Sequence, residues 1–105
     1  MDAELKERWL AKLRDSSVVK GRGTLNFNDQ MCCLGVLCEV LQLPRVIDGN
    51  YVYYNYMDVE RLTVCLGDSL LNEIGIEPNQ QFALVKLNDS NRTFKEVIEY
   101  IESKL

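Results

Sequence analysis

The sequence predicts a small α+β domain: a buried central helix, packed by N- and C-terminal amphipathic helices, with a short β-hairpin or small antiparallel sheet. Three observations predict it. Met31 to Leu43, MCCLGVLCEVLQL, is apolar on almost every side when wound as a helix, with Gly35, Glu39 and Gln42 sharing one narrow stripe. Both ends of the chain repeat apolar residues at helical spacing. Between them, Val46-Ile47 and Tyr51 to Tyr54 flank Asp48-Gly49-Asn50, the pattern of a hairpin. A chain of 105 residues makes one domain, 1–105, with enough length for one core.

The elements follow in order. Asp2 to about Asp15 reads as a helix with Leu5, Trp9 and Leu13 at i, i+4 and i+8, and Leu10 widening the face. Ser16-Ser17 ends it, and Trp9 is a core anchor whose indole N–H needs a partner. Val18 to Asn28, VVKGRGTLNFN, is a glycine-rich basic connector; Leu25 and Phe27 alternate with Asn26 and Asn28 as in a short strand. Asp29 or Asn28 is then the cap of the central helix, which Pro44 ends. On the hairpin, Tyr51 and Tyr53 share one face, and Val52 and Tyr54 the other. Asp58 is expected to cap a short helix from Val59 to about Cys65, and Ser69 to Ile74 to form another, closed by Gly75. Gln80 to Leu87 satisfies strand and helix patterns alike; helix is preferred, with Phe82, Val85 and Leu84 inward. Thr93 and Glu96 form a capping box for a last helix whose apolar face is Phe94, Val97, Ile98, Ile101 and Leu105.

Composition excludes several classes of function. A net charge of −4 argues against a duplex-DNA binder, so an anionic ligand needs a local basic cluster. No apolar run is long enough to span a bilayer and the acidic start is no signal peptide, so a cytoplasmic location without membrane contact is expected. Cys32, Cys33, Cys38 and Cys65 have no CxxC spacing and the chain has no histidine, which makes them packing residues rather than metal ligands. No cofactor is implied. Without histidine the Ser–His and Cys–His pairs are excluded, and no carboxylate pair stands apart, so an enzyme is not expected.

Parts for a binding site are present. Lys20, Arg22 and Thr24 supply charge and a hydroxyl beside glycines that let a ligand approach the main chain, a workable place for a phosphate. Four of the five tyrosines, Tyr51, Tyr53, Tyr54 and Tyr56, lie on or beside the hairpin, and those left exposed suit base stacking or protein contact. Asn26, Asn88, Asp89 and Arg92 complete the candidates as readers of polar edges.

Trp9 with Leu13, the Gly-Arg-Gly-Thr-Leu run at 21–25, Cys32 to Glu39 (CCLGVLCE), Leu87-Asn88-Asp89, and Thr93-Phe94 with its helix to Ile101 stand in one characteristic order. In this the chain resembles a family of small proteins common in tailed bacteriophages and prophages, over most of its length except about 46–66. The resemblance implies a phage accessory gene product acting in an infected bacterium. Such proteins often counter host defences, some by sequestering nucleotide immune signals, an analogy of lifestyle rather than of residues. The expected function is therefore a non-catalytic counter-defence protein that binds a nucleotide-derived signal of cyclic dinucleotide or cyclic ADP-ribose type. The alternative is a module that inhibits or recruits a host protein through the tyrosine-rich hairpin. A nucleic-acid role for the basic loop ranks third, and a homodimer through the hairpin edge stays open.

Overall fold

The computed structural model describes residues 1–58 and 60–105, which form an α+β domain of five helices around a small sheet. Helix α1 (Ala3–Arg14) starts where Asp2 accepts the Leu5 N–H at 2.9 Å, and buries Trp9, Leu10 and Leu13. Trp9 is fully enclosed, and its indole N–H donates to the Cys33 carbonyl at 2.9 Å, satisfying the one polar atom that burial would otherwise strand. Strands β1 (Val19–Lys20), β2 (Asn26–Phe27) and β3 (Gln30–Met31) precede the central helix α2 (Cys33–Val40). The hairpin follows as β4 (Arg45–Asp48) and β5 (Tyr51–Tyr56), then β6 (Glu60–Leu62), α3 (Asp68–Ile74), α4 (Pro78–Ser90) and α5 (Lys95–Lys104).

The strand order is β1-β3-β2-β5-β4, with β6 also paired to β5. β5 is thus flanked by β4 on one edge and by β2 and β6 along the other. The sheet is mixed, not antiparallel throughout: β2 folds back on β3, so β1 meets β3 running in the same direction. Among the described residues no helix is long and apolar enough to cross a membrane.

Helix α2 is central as expected but shorter than Met31 to Leu43. Asn28 and Asp29 both have positive φ, 54° and 62°, and form the two-residue turn joining β2 to β3. Asn and Asp tolerate that conformation and two-residue hairpins demand it, so neither caps the helix. The cap position falls to Cys32, which offers no side-chain bond; Asn88 reaches in from α4 instead, and its Oδ1 accepts the Cys33 N–H at 3.0 Å. At the other end the Arg8 guanidinium donates to the Val40 carbonyl at 2.9 Å. Gly35 lies so close to the Leu25 backbone that a Cβ there would overlap the Leu25 carbonyl oxygen, 1.9 Å away. Helix and connector are pressed together along main chain, which only glycine permits.

Other expectations need correction. Residues 60–62 form strand β6 rather than a helix, because they pair with the far end of β5; Val59 lies outside the described residues. α4 is a helix of 13 residues started by Pro78, with the Glu77 N–H on Gln80 Oε1 at 2.9 Å; Leu84 is enclosed but Phe82 points outward, 71% exposed. The capping box of Thr93 and Glu96 does not form. α5 starts after Phe94, which is drawn into the core, and Glu96 Oε2 is left buried without a partner. The apolar face of α5 is as expected, with Val97 and Ile101 enclosed.

Candidate functional site

The connector between α1 and α2 is held from both sides. The Gly21 N–H donates to the Met31 carbonyl at 2.7 Å, continuing the β1–β3 pairing, and a Cβ on Gly21 would stand 2.5 Å from the Gln30 carbonyl oxygen. Gly23 turns with φ 82° and donates its N–H to Asp89 Oδ1 at 3.3 Å. Asn88 completes the anchorage: its Nδ2 donates to the Gly21 carbonyl at 3.0 Å, while its own carbonyl accepts the Lys20 ammonium at 2.5 Å. Fixing Gly21 and Gly23 leaves Arg22 between them projecting into solvent, without an ion pair or hydrogen bond among the described residues.

This loop forms one wall of a cleft of about 390 Å³. Lys20, Arg22 and Thr24 come from the loop, and Arg92 from the turn between α4 and α5, 70 positions after Arg22. Phe27, Gln30 and Tyr51 line the same cleft, from β2, β3 and β5. Phe27 and Tyr51 are partners in the β2–β5 register, so their side chains leave the same face of the sheet; their ring centroids are 4.9 Å apart, edge to face. Tyr51 then lies parallel to Tyr53 at 6.2 Å, and the Arg61 guanidinium sits 5.3 Å from the Tyr53 ring. The exposed sheet face thus carries a column Phe27–Tyr51–Tyr53–Arg61 whose open end is at the cleft.

Three cations converge on a chain whose net charge is negative. Burial, followed by the neighbouring Arg22 charge, lowers the Lys20 pKa, with Asp89 opposing the shift. An anion entering the cleft would relieve the repulsion between Lys20 and Arg22. Thr24 lines the same cleft, but its Oγ1 is buried without a hydrogen-bond partner.

The sequence candidates therefore divide. Lys20, Arg22, Thr24, Tyr51 and Arg92 come together at the cleft. Tyr53 lies behind Tyr51, and Tyr56 donates to Glu73 away from the cleft. Asn88 is fully buried and bonded through its side chain and carbonyl, so it braces the loop rather than facing a ligand; Asp89 holds Gly23. Asn26 and Tyr54 are also withdrawn. Asn26 Nδ2 donates to Tyr54 Oη at 3.1 Å, and Tyr54 donates to Glu39 Oε2 at 2.6 Å. Arg45 bridges Glu39 at 3.1 Å and Asp29 at 3.0 Å, and the Asp29 N–H returns to Asn26 Oδ1 at 2.9 Å. This closed ring ties β2, β5, β4 and α2 together, and burial raises the Tyr54 pKa. The alternation of 25–28 misled because Leu25 precedes the strand: Asn26 turns inward to the ring and Phe27 outward to the cleft. Phe27 and Gln30 were legible only through the Asn28-Asp29 turn, which sets them opposite each other.

Cys32, Cys33 and Cys38 are buried among apolar side chains, and burial raises all three thiols, Cys32 to about 11; Cys65 is exposed. Among the described residues no three Cys, Asp or Glu side chains converge as metal ligands do.

Comparison with known proteins finds a family model described as a domain of unknown function (DUF8296), which matches residues 1–63. The matched stretch includes the 20–24 loop, Phe27, Gln30 and Tyr51. No curated protein and no solved structure matches the chain.

Proposed function

The chain belongs to the DUF8296 family, a domain of unknown function, and for this member we propose a non-catalytic role in binding a nucleotide-derived ligand. The observation that carries the reading is the single cleft lined by Lys20, Arg22 and Arg92 together with Phe27 and Tyr51. Guanidinium groups without internal partners take phosphate oxygens with charge-assisted, often bidentate bonds. Phe27 and Tyr51 offer a surface for a base. The cleft holds no carboxylate, thiol or imidazole to serve as a general base, and the Lys20 ammonium, a donor to the Asn88 carbonyl, has no lone pair to take a proton. Capture without turnover suits these parts. In a phage accessory protein acting in the cytoplasm of an infected cell, such capture would sequester an immune signal of cyclic dinucleotide or cyclic ADP-ribose type.

Calorimetric titration with cyclic dinucleotides and cyclic ADP-ribose isomers tests the proposal. Binding is expected, with Arg22→Ala and Arg92→Ala each weakening it about tenfold or more, since a hydrogen bond to a charged group is worth about 1.5–3 kcal/mol. Both side chains are exposed, so the melting temperature should not move. No heat at tens of micromolar with folded protein refutes the reading.

The exposed column Phe27–Tyr51–Tyr53 also favours a second reading, a protein-interaction surface. On that reading Tyr53→Ala abolishes capture of a host protein while Arg22→Ala and Arg92→Ala leave it intact.

A further inference from the structure

Lys20 and Arg92 do not belong to one cleft alone. On their other side lies a second concavity of about 680 Å³, between the end of α1, β1 and the start of α5. Its floor is apolar, with Val18, Phe94 and Ile98, and Lys95 stands at its rim. Arg14, also on its border, is paired with Glu102 at 2.6 Å, and the border carries the carboxylates Asp15 and Glu99 as well, so the charge of Lys95 and the shared pair is partly balanced there. Each concavity falls within the roughly 300–1,000 Å³ typical of ligand clefts, and each joins an apolar wall to the same two cations. The two shared cations therefore lie between two apolar patches, Phe27 with Tyr51 on one side and Val18 with Ile98 on the other. A mononucleotide has its phosphate at one end and would fill only one side.

We propose that the ligand is a cyclic dinucleotide that straddles the Lys20–Arg92 ridge, phosphates on the ridge, one base against Phe27 and Tyr51 and the other in the second cleft against Val18 and Ile98. This rests on the nucleotide reading above and narrows it to a ligand with two bases. Cyclic ADP-ribose carries a single base on its diphosphate and would leave one side unfilled.

Calorimetry compares a cyclic dinucleotide, the corresponding mononucleotide and cyclic ADP-ribose on wild-type protein and on Ile98→Glu and Lys95→Glu. Lys95 is exposed at the N-terminal end of α5, where a glutamate suits the helix, so that variant keeps the fold even where Ile98→Glu does not. The dinucleotide is expected to bind at least tenfold tighter than either comparator. Both substitutions should bring it down to the mononucleotide's affinity and leave the mononucleotide unchanged. Equal affinities for the three ligands, or second-cleft variants that do not weaken the dinucleotide, overturn the two-cleft inference. The first-cleft reading then stands, provided Arg22→Ala still weakens binding. Absence of binding by all three ligands overturns both.

Discussion

Replacing Asn88 by alanine should cost the fold more than it costs any ligand contact. The side chain is fully enclosed and joins three parts of the chain. Its removal leaves the Cys33 N–H buried with no acceptor at the start of α2, where no side chain of the cap residue stands in. An orphaned buried donor costs about 1–3 kcal/mol, and the Gly21 carbonyl loses its 3.0 Å partner for about another 0.5–1.5 kcal/mol. The sum is about 3 kcal/mol, and for a domain near this size each kcal/mol moves the melting temperature by about 4–8 °C, so a drop of about 12–24 °C is expected. Asn88→Asp separates the two halves of the brace. A carboxylate still accepts at the helix N-terminus but offers Gly21 no donor and repels Asp89, so it should melt between wild type and Asn88→Ala. Scanning calorimetry on the three proteins decides it. A shift under about 4 °C for Asn88→Ala would refute the reasoning and return Asn88 to the list of ligand contacts.

Gly35→Ala places a Cβ 1.9 Å from the Leu25 carbonyl oxygen, so α2 and the connector must part by more than an ångström; a loss of about 3 kcal/mol or more in urea unfolding is expected, and near-neutrality would contradict the close approach. In native protein an aromatic disulfide reagent should find Cys65 at once, while Cys32, Cys33 and Cys38 react only on unfolding; rapid reaction of more than one thiol would show that the helix is open. Stability should fall as the pH rises through about 9 toward 11. The unfolded chain sheds its thiol protons near 9 while buried Cys32 keeps its own to about 11, a loss of roughly 1.4 kcal/mol per pH unit for each such thiol. Urea midpoints at pH 8 and pH 10.5 that coincide would show that these thiols are not enclosed.

Sequence by itself determined what local periodicity encodes. The apolar cylinder around Cys33–Val40, the buried faces of α1 and α5, and the face assignment of Tyr51, Val52, Tyr53 and Tyr54 all follow from spacings of two or of three to four residues. Burial of such residues is decided by neighbours a turn away, so it can be read without knowing the fold. Polar side chains behave differently, because their fate depends on partners that the chain brings from afar. Only the tertiary structure turned Asn26 inward to Tyr54, gave α2 a cap from α4, and put Phe27 rather than Asn26 at the cleft. It also carried Arg92 to Lys20 and Arg22, where like charges accumulate around a space large enough for a ligand. A cation exposed on a helix and a cation facing two others look identical in sequence. The difference is the distance between them, and that is set by how α4 docks against the loop.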